Sequence, residues 1–256
     1  MGISYPLEGI RVIGLEQYVA APDCTLWLAN AGAEVIKLER PGGGEPRRTY
    51  LPVVEDAKGN KAFGGFMIYN RYKKSLTLDL QAEKGKQIYK ELIKHADVVV
   101  ENFAPGAVDR LGLGYDVLQQ INPRLVYAAM SGFGRLKEFS GIYSQRPAFD
   151  PVIQAMAGIT DQIGEEGGPP PYGFPGFADL YASIVTAYAI MLALFMREKT
   201  GPGSVEPCRF QGCRAAAARR SYRTHWSALR RGVGVVERGA LHRESSLRDR
   251  TSAHAV

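Results

Sequence analysis

Gly9-Ile-Arg-Val-Ile-Gly-Leu-Glu16 and Ala33-Glu-Val-Ile-Lys-Leu-Glu39 are short runs rich in β-branched residues, and together they decide the fold class. Both are typical of buried strands. Between them, Pro22 suits the first turn of a helix and Gly32 suits its C-terminal exit. A strand, a helix and a second strand in this order predict a parallel α/β unit with a right-handed crossover.

The same alternation continues toward the C-terminus. A face of apolar residues at helical spacing predicts a helix over residues 82–96, and a shorter helix is predicted over residues 115–121. Three further strands are predicted at Ser75–Leu80, Val98–Val100 and Leu125–Ala129. Strands that alternate with helices predict one parallel sheet with flanking helices.

The character of the chain changes near Ser204. Residues 204–256 contain 11 Arg and no Lys, whereas residues 1–203 contain 10 Arg and 11 Lys. The last segment carries a net charge of +7 and the rest carries −1. The net positive charge of the whole chain therefore comes from this terminal segment. We therefore predict one domain over residues 1–203 and an Arg-rich, irregular tail over residues 204–256, and we look for the function in the first part.

Composition excludes several classes of protein. Cys24 is the only cysteine of residues 1–203, which leaves no disulfide framework and no clustered-cysteine metal site there, so we expect no metal. The N-terminus has no basic-then-apolar signal, which favours the cytoplasm. Residues 180–196 are apolar but at the short limit for a bilayer, and polar side chains interrupt them. This segment predicts a core or interface helix, and membrane association is not expected.

Familiar catalytic motifs are missing from the sequence. Residues 17–22, the turn after the first strand, lack the three glycines of the dinucleotide fingerprint. The P-loop, the H-E-x-x-H zinc motif and the G-x-S-x-G nucleophile elbow are also missing. Hydride chemistry with a nicotinamide cofactor is therefore a weak candidate.

Asp179 is the first candidate for chemistry. It lies between a loop rich in Gly and Pro, residues 164–176, and an apolar helix that runs to Lys199. One interpretation is a carboxylate in the N-cap or first turn, worth about 1 kcal/mol. The other is a carboxylate that the helix dipole keeps ionised beside a cleft, where it can attack an acyl carbon. The residues alone leave both open.

Two further segments can be interpreted in two ways. Residues 41–44, Pro-Gly-Gly-Gly, are flanked by Arg40, Arg47 and Arg48, and predict either a mobile surface loop or an edge that binds phosphate through arginine. Residues 102–106, Asn-Phe-Ala-Pro-Gly, follow a strand at the edge of the sheet where ligands gather. Pro-Gly at that place is also an ordinary turn.

In order and spacing, the chain resembles the family III CoA-transferases, the group of formyl-CoA transferase, carnitine CoA-transferase and α-methylacyl-CoA racemase. The resemblance covers about 200 residues. It is carried by Pro6-Leu-Glu-Gly-Ile-Arg-Val12, Gly32-Ala-Glu-Val-Ile-Lys-Leu-Glu-Arg40, Lys73-Lys-Ser-Leu-Thr-Leu-Asp79, Ala96-Asp-Val-Val-Val-Glu-Asn-Phe-Ala-Pro-Gly106, Arg110-Leu-Gly112, Asn122-Pro-Arg124, Ser131-Gly-Phe-Gly134, Asp150 to Gly158 and Glu198-Lys-Thr-Gly-Pro-Gly203.

The resemblance implies a Rossmann-like parallel sheet with flanking helices. In the family the chain continues into a second domain and returns, and two chains interlink as a homodimer. It further implies that CoA passes from an acyl-CoA donor to a carboxylic acid acceptor through an aspartyl-CoA thioester. Coenzyme A and acyl-CoA are then substrates, and no cofactor is bound permanently.

The resemblance also implies site residues, with Asp179 as the nucleophile. Phe149 stands where racemase members place a catalytic histidine, and because phenylalanine cannot move a proton the transferase activity is favoured over the racemase. Family positions that contact CoA correspond to Val19, Ala20, Arg40, Leu78, Asn102, Phe103, Arg110 and Arg146, and family positions in the acyl pocket correspond to Phe149 and Asp150.

The tail does not resemble the apolar strand and helices that follow in the family. An excess of Arg without Lys or Ile is typical of GC-rich DNA read out of frame, so we hypothesise a frameshift near Ser204 that truncates the fold before the second domain. Such a chain could be a catalytically dead CoA-binding fragment. A basic arm for nucleic acid is less favoured, because only Tyr222 and Trp226 offer stacking among the arginines.

Overall fold

The computed structural model describes residues 5–134, 141–165, 168–169, 171, 174–200 and 209–211. Tyr222, Trp226 and most of the Arg-rich tail therefore lie outside the described residues. The proposed frameshift near Ser204 and the boundary after Gly203 stay predictions.

Strands and helices alternate along the described chain, as predicted. The strands are β1 (Arg11–Leu15), β2 (Glu34–Glu39), β3 (Val53–Glu55), β4 (Lys61–Phe63), β5 (Lys74–Thr77), β6 (Val98–Glu101), β7 (Val126–Ala129) and β8 (Arg209–Gln211). The helices are α1 (Ala20–Asn30), α2 (Gly64–Asn70), α3 (Glu83–Ile93), α4 (Ala107–Arg110), α5 (Tyr115–Ile121), α6 (Asp150–Ala157), α7 (Ile159–Ile163) and α8 (Phe177–Thr200), with a 3₁₀-helix at Pro46–Thr49.

Six strands form one parallel sheet in the order β5-β2-β1-β6-β7-β8. This is the doubly wound order of Rossmann-like folds, in which the chain first moves outward from β1 and then restarts on its other side at β6. The predicted α/β class and the Rossmann-like sheet are thereby confirmed. The topological switch point lies between β1 and β6.

Both faces of the sheet are covered, which explains the continuous apolar runs in its central strands. Val98 and Val100 of β6 point into one core cluster with Ile190 of α8. Val99, between them, points into the other cluster with Tyr89 of α3. Alternate residues of a strand face opposite sides, so a run of three valines serves two cores.

Helix α8 is buried along one side only. Ala187, Ile190 and Leu194 are buried in the core, while Ile184 and Phe195 are more than half exposed. By length and composition it is the one helix of the described chain that could cross a membrane, with a mean hydropathy of 1.7. A helix whose inner face completes the core of a parallel sheet agrees with the predicted core or interface helix.

Two features differ from the sequence-based expectations. The region between β2 and β5 contains a 3₁₀-helix, a β3–β4 hairpin and α2, none of which we predicted. The tail, predicted to be irregular, supplies β8, in which Phe210 is the register partner of Ala128 in β7. The edge of β7 offers unpaired backbone groups to this short segment, and the prediction for the rest of the tail lies outside the described residues.

Candidate active site

Asn102 joins the two loops at the switch point. Its Nδ2 donates to the carbonyl oxygen of Gln17 at 2.8 Å, and its Oδ1 accepts from the nitrogen of Gln17 at 2.9 Å. Gln17 follows β1 and Asn102 follows β6, so this amide closes the crevice where ligands of doubly wound sheets bind. The predicted CoA-contacting residue Asn102 thus also fixes the loop that carries Val19 and Ala20.

Tyr18 has a left-handed backbone, with φ of 62°, which is uncommon for a residue other than glycine. Its N–H donates to Oε1 of the buried Glu45 at 2.9 Å, and the same oxygen accepts from the nitrogen of Arg47 at 3.2 Å. The Tyr18 ring meets Phe149 edge to face at 6.0 Å. Glu45 therefore couples the loop after β1 to the loop after β2.

A buried ionic cluster lies under these loops. Glu16 Oε1 contacts Nζ of Lys73 at 2.8 Å and Nζ of Lys37 at 3.4 Å, and Glu16 Oε2 accepts from Thr25 at 2.6 Å. Burial opposes the charge of Glu16, but Lys73 and Lys37 outweigh it and lower its pKa. The C-terminal end of β1 is therefore anchored by paired charges.

Two cavities meet beneath the C-terminal ends of the strands, sharing Gln17 and Phe103 in their walls. One has a volume of about 230 Å³ and the other of about 190 Å³. The first is lined by predicted residues Val19, Ala20, Asn102, Phe103, Arg146, Phe149 and Asp179. The second is lined by Arg40, Leu78 and Phe103. The fold thus brings the predicted nucleophile and the predicted CoA residues other than Arg110 to two neighbouring cavities that share wall residues.

A smaller cavity of about 90 Å³ lies beside Asp179, between Ala20, Ser131 and Phe149. Asp179 is the third residue of α8 and is only partly exposed. It belongs to the first turn of the helix, as the first interpretation requires, and it lines a cavity, as the second requires, so its role as nucleophile stays a prediction.

The pKa of Asp179 is raised. Burial first, and the nearby Asp150 carboxylate second, raise the pKa of Asp179 to about 6, and the positive charge of Arg47 only partly opposes them. We expected the helix dipole to keep this carboxylate ionised, and with a pKa of about 6 it is ionised at neutral pH but by a smaller margin than a free aspartate. Desolvation outweighs the dipole here, since the charged form loses water on entering the cleft.

Asp150 lines neither cavity beside Asp179, and its predicted place in the acyl pocket stays a prediction. Its side chain is buried, and Oδ1 accepts from the nitrogens of Ala178 at 2.7 Å and Asp179 at 3.3 Å. Oδ2 accepts from the nitrogen of Gly176 at 3.0 Å and from Nε2 of Gln154 at 2.6 Å. Asp150 thus satisfies the orphan N–H groups that begin α8, a role that a residue 28 positions from Ala178 cannot reveal in the sequence.

The other arginines have different surroundings. Arg110 is exposed at the end of α4 and lies in the wall of neither cavity, so its predicted contact with CoA stays a prediction. Arg48 forms a two-pronged ion pair with Glu39, at 2.6 and 2.7 Å, and is therefore committed to the protein. Arg40 reaches the 190 Å³ cavity and donates to the carbonyl of Gly44 at 3.2 Å. Of the two interpretations of this loop, Arg40 favours the phosphate-binding edge.

A larger open groove lies elsewhere on the described chain. It has a volume of about 500 Å³ and lies between β2 and α3, near Arg11, Glu34 and His95. Arg11 and Glu34 begin their strands, so the groove lies at the N-terminal edge of the sheet, and they pair with each other at 2.6 Å. The volume of a cavity therefore does not by itself identify the candidate active site in this fold. Among the described residues, no group of three or more His, Cys, Asp or Glu is placed to hold a metal ion.

Sequence reasoning missed Tyr18, Glu45 and Ser131 at this site. Ser131 could have been found, because it lies two residues after the end of β7, at the same edge of the sheet as Asn102. Tyr18 and Glu45 gave no such signal. Their roles depend on a backbone conformation and on a contact between residues 27 positions apart.

The chain is similar to characterised proteins over most of its length. It is 42% identical over 201 residues to an acyl-CoA transferase of Fusarium pseudograminearum, covering 77% of this chain and 43% of that protein. It is 39% identical over 198 residues to the succinyl-CoA:mesaconate CoA-transferase of Haloarcula hispanica, covering 77% of this chain and 50% of that protein. The chain thus spans about half the length of the curated relatives it matches.

Solved structures agree with the fold. A CaiB/BaiF family protein of Brucella suis matches with a TM-score of 0.74 and 35% identity, over 84% of this chain and 54% of that one. A hypothetical protein of Mycobacterium tuberculosis matches with a TM-score of 0.74 and 34% identity, over 89% of this chain and 59% of that one. The family model for CoA-transferase family III matches residues 7–244. With the doubly wound sheet, the crevice and Asp179 in place, this chain belongs to CoA-transferase family III.

Proposed function

We propose that this chain acts as a CoA-transferase that moves CoA from an acyl-CoA donor to a carboxylic acid, with Asp179 as the nucleophile. The observation that carries the proposal is the placement of Asp179 in the wall of a cavity that shares Gln17 and Phe103 with a second cavity, which Arg40 lines. Relatives named for this reaction support it, among them the formyl-CoA:oxalate CoA-transferase of Streptomyces avermitilis, at 41% identity over 199 residues.

The crevice suits an extended thioester. Arg40 at the outer end offers a guanidinium to the phosphate end of CoA, and Phe103, shared by both cavities, offers an apolar surface to the pantetheine arm. Val19 and Ala20, at the start of α1, place their backbone groups in the wall of the cavity that would hold the thioester end of the substrate. The thioester carbonyl then lies beside Asp179.

The reaction begins when an Asp179 carboxylate oxygen attacks the thioester carbonyl carbon. The C–S bond breaks, CoA leaves as a thiolate, and an aspartyl–acyl anhydride remains. The thiolate attacks the aspartyl carbonyl of this anhydride, releasing the donor acid as a carboxylate and leaving an aspartyl-CoA thioester. The acceptor carboxylate then follows the same steps in reverse, and Asp179 is regenerated.

The raised pKa of Asp179, about 6, suits this chemistry. A carboxylate of higher pKa is a stronger nucleophile, and above pH 6 it is still mostly ionised. A carboxylate is needed because each anhydride must open from either side at similar cost. Phe149 in the same cavity carries no titratable group, which supports transfer over racemisation.

Trapping of the covalent intermediate tests the proposal. The protein is incubated with formyl-, acetyl- or succinyl-CoA, quenched with hydroxylamine or borohydride, and mapped by peptide mass spectrometry. We expect modification at Asp179 and none in Asp179→Asn. Matched measurements with Asp161→Asn, an exposed carboxylate of α7, should equal wild type. An unmodified Asp179 in folded protein that binds CoA would leave a CoA-binding fragment without transferase activity.

A further inference from the structure

The cavity beside Asp179 contains a hydroxyl group that the proposed function has not used. Ser131 Oγ is buried and has no hydrogen-bond partner in the part of the chain that the structure describes. Ser131 and Asp179 line the 90 Å³ cavity together, and both also line the 230 Å³ cavity. A buried polar atom without a partner is rare in folded proteins and calls for a physical explanation.

The backbone on both sides of Ser131 is held in place. Before it, the nitrogen of Met130 donates to the carbonyl of Glu101 at 2.8 Å, which continues the β6–β7 ladder. After it, Gly132 lies so close to Ala148 that an added Cβ would be 2.3 Å from the Cβ of Ala148. The hydroxyl is therefore presented from a fixed position and cannot easily move away to find another partner.

The other residues around the 90 Å³ cavity provide few donors. Its side chains are otherwise apolar except for Asp179 and Asn102, and Asn102 is fixed by its two hydrogen bonds to the backbone of Gln17, which use one of its two Nδ2 hydrogens. Within the described wall, Ser131 supplies the hydroxyl donor, and its oxygen has no hydrogen-bond partner there. The ligand atom that needs a donor beside a nucleophile is the carbonyl oxygen under attack.

We propose that Ser131 is a further catalytic residue, which donates a hydrogen bond to the reacting carbonyl oxygen. The inference rests on the proposed function. When Asp179 attacks the thioester, the carbonyl electron pair moves to oxygen and creates an oxyanion, which the Ser131 O–H stabilises while keeping its own proton. The pair returns as the C–S bond breaks and CoA leaves as a thiolate. A donor aimed at developing charge lowers the barrier more than it strengthens binding.

Single-turnover acylation of Asp179 tests this inference, with CoA affinity and thermal unfolding measured on the same samples. We expect Ser131→Ala to slow acylation about 100-fold, the usual effect of losing one oxyanion donor, with the CoA dissociation constant unchanged within about twofold. Ser131→Thr, which keeps the hydroxyl, should recover much of the rate. Because the hydroxyl is unpaired in the free protein, Ser131→Ala should unfold at the same or a higher temperature than wild type.

Ser183→Ala is the matched control. Ser183 lies one turn beyond Asp179 on α8, and its hydroxyl donates to Asp23. This variant should unfold at a lower temperature, because Asp23 loses a partner, yet keep the acylation rate of its folded fraction. That combination is the reverse of the result for Ser131→Ala.

Three results would overturn the inference. Normal acylation in Ser131→Ala, with wild type also acylated, removes Ser131 from the chemistry and leaves the proposed function standing. Slow acylation that accompanies weakened CoA binding or early unfolding in both Ser131→Ala and Ser131→Thr assigns it a structural role. Failure of wild type to acylate contradicts the proposed function and this inference together. If Ser131→Ala does not fold, Ser131→Gly and Ser131→Cys supply the same comparison.

Discussion

The backbone nitrogen of Asp179 donates to Oδ1 of Asp150 at 3.3 Å, so two carboxylates share the first turn of one helix. The carboxylate oxygens of Asp150 accept hydrogen bonds from N–H groups at the start of α8, and its side chain is buried, whereas Asp179 lines the cavity. One carboxylate thus positions the other and also repels its charge. Burial of Asp179, first, and this repulsion, second, explain why the pKa of Asp179 is raised to about 6 at a helix end that favours anions.

Replacing Asp150 with Asn should lower the pKa of Asp179 from about 6 toward its ordinary value. Asparagine keeps an oxygen acceptor for the N–H groups of Ala178 and Asp179 but carries no charge, so the repulsion disappears. The measurement is a pH titration of the Asp179 carboxyl carbon by NMR. Asp161→Asn removes the same charge from an exposed position of α7 and should leave the titration unchanged. An unchanged or higher pKa in Asp150→Asn contradicts the electrostatic account.

The opposite change is expected for Arg47→Met. Arg47 is the cation that opposes the rise in the Asp179 pKa, and it is held by Gly65 and by the rings of Tyr50 and Tyr69. Its removal should raise the pKa of Asp179 above about 6 in the same titration. Arg71→Met, a loss of charge at the exposed end of α2, is the control and should have no effect.

Acylation should depend on pH in a way that the pKa of Asp179 sets. Only the ionised carboxylate attacks, so the single-turnover rate should rise with pH through about 6 and then level off. A rate that is flat between pH 5 and about 7 would show that Asp179 titrates elsewhere.

The raised pKa of Asp179 should also make the free energy of unfolding depend on pH, and this free energy should fall with rising pH where the acylation rate increases. The folded pKa of Asp179, about 6, lies above the value of about 3.9 for an unfolded chain. The stabilising contribution of its protonated form is therefore complete below about pH 4 and is lost as the pH rises through about 6. Urea unfolding should show Asp179→Asn gaining stability relative to wild type between these limits, by up to about 2 kcal/mol. A difference that does not change with pH contradicts the raised pKa.

Asn102→Ala should weaken CoA binding. The change leaves both backbone groups of Gln17 unpaired, at about 1 kcal/mol each, and releases the loop that begins at Tyr18. We expect lower stability and at least about tenfold weaker CoA binding by calorimetry, since the loop must be ordered again in the complex.

The matched control for this change is Asn122→Ala. The Asn122 side chain makes three backbone hydrogen bonds, donating to the carbonyls of Ile93 and Ala96 at 2.9 and 2.8 Å and accepting from the nitrogen of Arg124 at 3.1 Å, but it lines neither cavity. Asn122→Ala should therefore lower stability at least as much as Asn102→Ala and leave CoA affinity intact. Equal loss of affinity in both variants would mean that general destabilisation, and not the loop, controls binding.

Lys73→Met should destabilise the fold by about 3–5 kcal/mol, because it leaves Glu16 buried without its closest cation. Its neighbour Lys74 pairs with Glu34 at the surface, so Lys74→Met should cost less than about 1 kcal/mol. Urea unfolding measures both. In the double variant Lys73→Met with Glu16→Gln, the total cost should be smaller than the sum of the two single changes, since the unpaired charge has also been removed. Additive costs would mean that the pair does not interact.

Much of the fold was readable from local sequence. β-branched runs and helical periodicity placed the strands and helices of the sheet, and the transition from a Gly- and Pro-rich loop to an apolar helix placed Asp179. These properties belong to neighbouring residues, whose backbone preferences and side-chain spacing act over one or two turns. The β3–β4 hairpin and β8 were not predicted, because their strands have only three residues each, too few to show an alternating pattern of apolar residues.

The site itself was only partly readable. The sequence determined which residues stand at strand ends, and parallel pairing then brings strand ends to one edge. The cap that Asp150 places on α8, the raised pKa of Asp179 and the unpaired hydroxyl of Ser131 were decided by the tertiary structure alone. Each depends on burial and on contacts between distant parts of the chain, and desolvation and Coulomb interactions follow distance in space, not separation in sequence.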